Sequence, residues 1–210
     1  MPPMQPLVRP ARPDDAAAAE LLYESAAPYY DAYAGSPARA RRLVHSIWPK
    51  PGHSASFEIA HVAEVDGRVA GVLSAFPAPD ADRLARRFLA ISLVRLPAWR
   101  WLTIARHLRA ASSVMPVPPG DALYVDGLAV RAELRRRGIA RELLEHAEQL
   151  ARQHGCRGVA LDTGIENGVA RALYAACGFE ERDERRARDE RVARAVGGPG
   201  FVSLFRPLRP

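Results

Sequence analysis

An apolar extended run meets an amphipathic helical run across a turn of arginine and glycine, and this junction constrains the fold more than any other feature of the chain. Ala122-Leu123-Tyr124-Val125-Asp126-Gly127-Leu128-Ala129-Val130 is rich in residues that fit a buried, pleated surface. Ile139, Leu143, Leu144, Ala147 and Leu150 then recur at helical spacing. Between the two runs stands Arg135-Arg136-Arg137-Gly138-Ile139-Ala140. The first amides of a helix lack intrahelical partners and carry the positive end of its dipole, so a turn of this kind can cradle an anion. Gly138 and Ala140 are small enough for the backbone to approach a diphosphate, and Arg136, Arg137 and Arg141 can add charge-assisted bonds. On these residues alone a basic loop capping an ordinary helix, or a nucleic-acid patch, is an equally open reading. Neither the dinucleotide fingerprint nor the P-loop pattern is present.

A second segment narrows the choice. It reads Leu161-Asp162-Thr163-Gly164-Ile165-Glu166-Asn167-Gly168-Val169-Ala170-Arg171-Ala172-Leu173-Tyr174-Ala175-Ala176-Cys177-Gly178-Phe179. With both segments in view the chain resembles the GNAT superfamily of acyl-CoA-dependent N-acyltransferases. The first segment is similar to that family's pyrophosphate motif, an Arg or Gln, two residues, Gly, any residue, then Gly or Ala. The second is similar to its strand, Asn, and helix carrying a Tyr before Gly-Phe. The likeness covers Tyr124 to Phe179 directly, and Leu7 to Phe76 and Phe201 to Arg206 more loosely.

The resemblance implies an α/β fold with a mixed, mostly antiparallel central sheet, helices on both faces and a splayed cofactor strand. It implies acetyl-CoA as cofactor, coenzyme A as product, and an N-acetyltransferase that transfers the acetyl group to a primary amine. Arg135, Arg136, Arg137, Gly138, Ile139, Ala140 and Arg141 would then hold the diphosphate. Main-chain groups of Leu128, Ala129 and Val130 would pair with the pantetheine arm and polarise the acyl carbonyl, with Gly127 providing a local bulge. Asn167 would bond the same arm, and Tyr174, seven residues on, would protonate the departing thiolate. Read without the motif, Tyr174 belongs to an ordinary helical core stripe with Ala170, Leu173 and Cys177.

An amine attacks a thioester only as the free base, while a lysine-like amine has a reference pKa of about 10.4. A carboxylate near the acceptor is the expected base. Asp126, on the cofactor strand two residues before Leu128, is expected by period-two geometry to share its face, and Asp162 ends the neighbouring strand. Each is also readable as a hydrogen-bonded strand carboxylate. Glu58, Glu64 and His61 are weaker candidates. Cys156 and Cys177 have no nucleophile partners and no CxxC or CxxH spacing, so direct attack in a ternary complex is expected, and no metal site.

The remaining chain reads as one domain over 1–210. Its 48% hydrophobic content suffices for one substantial core. Met1-Pro2-Pro3-Met4-Gln5-Pro6 lacks the features of a secretory signal, and no apolar run approaches the roughly twenty residues that span a bilayer, so the expected location is the cytoplasm. Leu7-Val8-Arg9 reads as a first strand, Ala16 to Ser25 as a first helix and Pro37 to Ile47 as a second, after the aromatic residues Tyr29, Tyr30 and Tyr33. Phe57 to Val65 and Arg68 to Phe76 form a hairpin about Asp66-Gly67. Gly158 to Asp162 and Gly200 to Arg206 read as further strands, and Glu180 to Arg191 as a solvated strand edge and loop.

Charge is uneven along this chain. Residues 131–141 hold five Arg against one Glu, and Asp80 to Ser113 seven Arg against two Asp. The second segment lies in a helical insert at about 80–113, read as two amphipathic helices about a break at Pro97. Leu84, Phe88 and Ile91 fall on one face; Trp101, Ile104, Ala105, Leu108 and Ala111 on the other. These faces can pack on the sheet, pack on another subunit in a homodimer, or wall a site for a carboxylate-bearing acceptor. Trp99 and Trp101 beside Arg95 and Arg100 also suit a membrane surface or nucleic acid. A small-molecule or peptide amine is the expected partner, and nucleic acid is not. The alternative from another class is a non-catalytic acyl-CoA-binding or sensing module.

Overall fold

The computed structural model describes residues 6–208, so the opening segment read above for a signal lies, except for Pro6, outside the described residues. Seven strands form one sheet in the order β1 (Leu7–Pro10), β2 (Ala60–Val65), β3 (Arg68–Pro77), β4 (Ala122–Val130), β5 (Gly158–Gly164), β7 (Gly200–Pro207), β6 (Glu180–Arg186). Only the β4–β5 pair is parallel. The β2–β3 hairpin turns at Asp66 and Gly67, both with positive φ, as the dipeptide predicts. β2 begins at Ala60 rather than Phe57, because Ser56 accepts from the Glu58 amide and winds Phe57–Ile59 into a single 3-10 turn.

Helices cover both faces. On one lie α1 (Ala16–Ser25), α2 (Ala27–Ala34), α3 (Pro37–Ile47) and α4 (Ala81–Arg95), packed around Leu22, Tyr33, Ile47, Trp48 and Val72. On the other, α6 (Ile139–Gln153) and α7 (Gly168–Ala176) pack around Leu73, Leu123, Leu143, Leu144 and Leu161. A smaller cluster joins α5 (Trp101–Val114) to α8 (Glu190–Val196) through Ala111, Val114, Val192 and Val196. Among the described residues no helix is long and apolar enough to cross a membrane.

Three details differ from the sequence reading. The Tyr29–Tyr33 stretch is itself helical, started by Pro28 in its first turn and stopped by Gly35 in the left-handed conformation. The loop expected to reach Arg191 gives way to α8, which Asp189 caps and Gly197 ends. In α5 the buried stripe is Ile104, His107, Ala111 and Val114, so Trp101 and Ala105 face outward instead of inward. Edge strand β6 is exposed along nearly its whole length and laced by ion pairs such as Arg182–Glu180 and Arg186–Glu184, which discourages pairing with another sheet.

Candidate active site

The sheet opens between β4 and β5. Their parallel pairing ends at Val125↔Leu161, while β4 stays paired to β3 up to Val130 and β5 stays paired to β7 up to Gly164. Alternate main-chain groups from Asp126 to Val130 therefore face a gap and not a strand. The register slips between Ser74 and Ala75, which oppose Gly127 and Val125, leaving Asp126 as the extra residue of a bulge. Gly127 lets α1 approach there: a Cβ would come within 2.9 Å of Leu22 and 3.0 Å of the Ser25 hydroxyl, and one of these side chains would have to shift.

The bulge overturns one expectation. Asp126 and Leu128 do not share a face, because the extra residue breaks the period of two. Leu128 packs with the α6 side, whereas Asp126 lies with Tyr29 and Tyr30 of α2, whose pKa values burial and, after it, the Asp126 charge raise. Extending the β4–β5 register by one step sets Asp126 opposite Asp162, at the point where the strands part. Both carboxylates are partly accessible at the base of this wedge. Burial, then the charge of Asp162, pushes Asp126 up to about 7. Burial also raises Asp162 to about 6, against a hydrogen bond of 2.5 Å from the Tyr124 hydroxyl. Asp126 accepts no hydrogen bond among the described residues and is not sealed off, so its oxygens are free to meet a donor.

Tyr124 was not singled out by sequence reasoning, although its spacing of two from Asp126 placed both on one face ahead of the bulge. Tyr29 and Tyr30 were noted only as aromatic residues; the helix that presents them was the missing step. The weaker base candidates are elsewhere. Glu64 pairs with Arg9 at 2.8 Å, Glu58 accepts from the Gly52 amide, and His61 packs in a tilted arrangement against His146 on α6 with ring centroids 4.6 Å apart.

The turn after β4 has the geometry of a cradle. Arg136 and Gly138 both adopt positive φ, 60° and 86°. Gly138 stands at the N-cap of α6 and supplies no side-chain cap, so the amides of Ile139, Ala140 and Arg141 have no acceptor among the described residues. A Cβ on Gly138 would meet nothing within 4 Å, so the turn faces open space. Arg135, Arg136, Arg137 and Arg141 are exposed around it, with the Arg135 Nε donating to the Val130 carbonyl at 3.1 Å. Uncapped amides beside four guanidinium groups fit a diphosphate.

Across the wedge, Asn167 caps α7. Its side-chain oxygen accepts from the Ala170 amide at 3.2 Å and its Nδ2 donates to Thr163 Oγ1 at 3.1 Å. Both amide atoms are thus engaged locally, at the cap of the helix. Tyr174 is buried against Phe179, and burial followed by the charge of Asp162 raises its pKa. Its hydroxyl makes no hydrogen bond among the described residues and is not enclosed. The thiols of Cys156 and Cys177 are pushed up, chiefly by burial, which keeps them protonated.

Comparison with known proteins agrees with this architecture. Over 77 residues the chain is 45% identical to the chloroplastic GCN5-related N-acetyltransferase 4 of Arabidopsis thaliana, a match over 37% of this chain and 26% of that protein. Over 61 residues it is 33% identical to an aminoglycoside N(6')-acetyltransferase type 1 of Salmonella typhimurium, covering 29% of this chain and 42% of the relative. The chain thus spans about a quarter and about two fifths of the length of these curated relatives. The crystal structure of an N-acetyltransferase from Staphylococcus aureus Mu50 superposes with a TM-score of 0.70 at 18% identity, covering 95% of this chain and 100% of that one, and so shares the fold. The model of the acetyltransferase (GNAT) family matches residues 19–179, and the chain belongs to that family.

Proposed function

We propose that the chain transfers an acetyl group from acetyl-CoA to a primary amine by direct attack in a ternary complex. One observation carries this reading: an uncapped helix N-terminus follows β4, the strand whose Asp126 forms, with Asp162 of neighbouring β5, a pair of carboxylates with near-neutral pKa values where the two strands part. When bound, acetyl-CoA would supply a thioester carbonyl as the electrophile. Arg135, Arg136, Arg137 and Arg141, with the amides of Gly138, Ile139 and Ala140, would hold its diphosphate. The gap-facing main chain of Leu128, Ala129 and Val130 would order the pantetheine arm, and Asn167 would reach it only by sharing its cap bonds.

The chemistry at the wedge is proton management. An alkylammonium must lose a proton before it attacks, and a carboxylate with a pKa of about 7 is half-ionised near neutrality, where it takes that proton most effectively. Asp126 is the first choice because it has no protein donor, and Asp162, held by Tyr124, is the second. Tyr174, kept protonated by its raised pKa, would deliver a proton to the departing sulfur. Two protonated thiols support attack without an acyl-enzyme. The test is thiol release from acetyl-CoA across a panel of amines, including the aminoglycoside class named in the Salmonella relative. Turnover of an amine supports the reading; tight coenzyme A binding with no turnover of any amine replaces it with a sensing module.

A further inference from the structure

The turn joining α4 to α5 takes no part in the chemistry above. Val94, Trp99, Trp101 and Leu102 are 84%, 64%, 51% and 73% exposed, four large apolar side chains within nine consecutive residues. Large apolar side chains gathered at one turn, rather than scattered singly over the surface, call for an explanation. The indole rings are held in place: Trp101 Nε1 donates to the Leu93 carbonyl near the end of α4, and the guanidinium groups of Arg39 and Arg100 stand 5.2 and 5.9 Å from the Trp99 ring.

Arginines surround this knuckle. One neighbouring groove is lined by Arg39, Arg42 and Arg95, and another by Arg100, Arg106 and Arg191. Arg39, Arg42, Arg95 and Arg106 pair with no carboxylate among the described residues, unlike the arginines of β6. Indole rings suit the headgroup layer of a bilayer, aliphatic side chains suit the acyl boundary beneath it, and unpaired guanidinium groups suit anionic headgroups.

We propose that the α4–α5 knuckle seats the protein on the surface of an anionic lipid bilayer, with Val94, Trp99, Trp101 and Leu102 in the headgroup region and the arginines on lipid charge. A second copy of the chain fits less well, since a two-fold contact here would set arginine against arginine. Nucleic acid also fits less well: bases could stack on the two indole rings, but Val94 and Leu102, the most exposed of the four side chains, would be left without a partner. Arg100 donates to the carbonyls of Ala32 and Tyr33 at 3.1 and 2.8 Å, so the seat is tied to α2, the helix that walls the carboxylates.

Co-sedimentation of the full chain with vesicles tests the proposal, comparing pure phosphatidylcholine with an equimolar mixture of phosphatidylcholine and phosphatidylserine. Binding is expected to the mixed vesicles at low salt, with a blue shift of tryptophan emission. The double variant Val94→Ser/Leu102→Ser, at positions too exposed to support the core, is expected to lower partitioning by about tenfold with an unchanged unfolding midpoint. Arg42→Gln and Arg95→Gln are each expected to lower it by about fivefold on mixed vesicles only. Equal partitioning into both vesicle types, or no response to the double variant, overturns the proposal. So does a wild-type dimer that ignores vesicles and is dissociated by the double variant.

Discussion

Replacing Asp126 by Asn removes a charge and leaves the shape almost unchanged. In the folded protein this carboxyl ionises at about 7 rather than 3.8, first through burial and second through repulsion from Asp162. The native state therefore holds the proton more tightly than the unfolded chain, and its stability falls as pH rises from about 4 through about 7. A gap of about three pH units, at roughly 1.36 kcal/mol each, is on the order of 4 kcal/mol. Part of that relief belongs to Asp162, so Asp126→Asn is expected to recover about 2–4 kcal/mol at about pH 8 and almost nothing at about pH 4. Urea unfolding of both proteins across this window measures the difference. Two stability curves that run parallel from acid to alkaline pH would refute the reasoning. The same variant also separates the two candidate bases. If Asp126 takes the proton, kcat/KM falls by about 10²–10⁴. If Asp162 does, activity persists and its pH profile stays in place, because burial and the Tyr124 hydrogen bond, not Asp126, set where Asp162 titrates.

Further outcomes are expected elsewhere in the site. Gly138→Asp places a carboxylate beside the uncapped amides of α6, where it repels phosphate at a backbone cost of about 1 kcal/mol for an L residue at positive φ; calorimetry should find coenzyme A binding lost and the fold retained. Tyr174→Phe should lower kcat by about 10²-fold or more with little change in KM for acetyl-CoA, and an unchanged kcat would assign the side chain to packing alone. Asn167→Ala should cost about 1 kcal/mol of stability through the lost cap, whereas Asn167→Ser should keep most of it; a coenzyme A affinity that falls in both variants would reveal a contact beyond capping. The double variant Cys156→Ala/Cys177→Ala should retain turnover, and a folded but inactive protein would count against direct transfer.

Some of the site was written in local pattern. The Asp66–Gly67 hairpin and the strand–Arg–Gly–helix junction depend on contacts within a few residues, so the sequence displayed them directly. α8 was equally local, with Asp189 at its start and Gly197 at its end, but the dense charge of Glu180 to Arg191 hid those signals behind the look of a solvated loop. Asp126 was found for its chemistry and given the wrong face, because a bulge depends on the partner strand: Ser74 and Ala75, some fifty residues earlier, set the slip that turns it. Trp101 was grouped on one apolar face with Ile104 and Ala111 because helical spacing cannot tell which part of an apolar arc meets a neighbour; Ile104 and His107 met it, and Trp101 did not.

What the sequence determined by itself was the cradle: glycine at a position needing positive φ, arginines around it, and an apolar strand and helix on either side, all fixed by short-range sterics and charge. Tertiary structure alone decided that Asp126 and Asp162 would stand side by side. That pairing depends on where two strands of a sheet separate, and it raises both pKa values because the surrounding helices, brought in from distant parts of the chain, withdraw water that a linear sequence would leave in place.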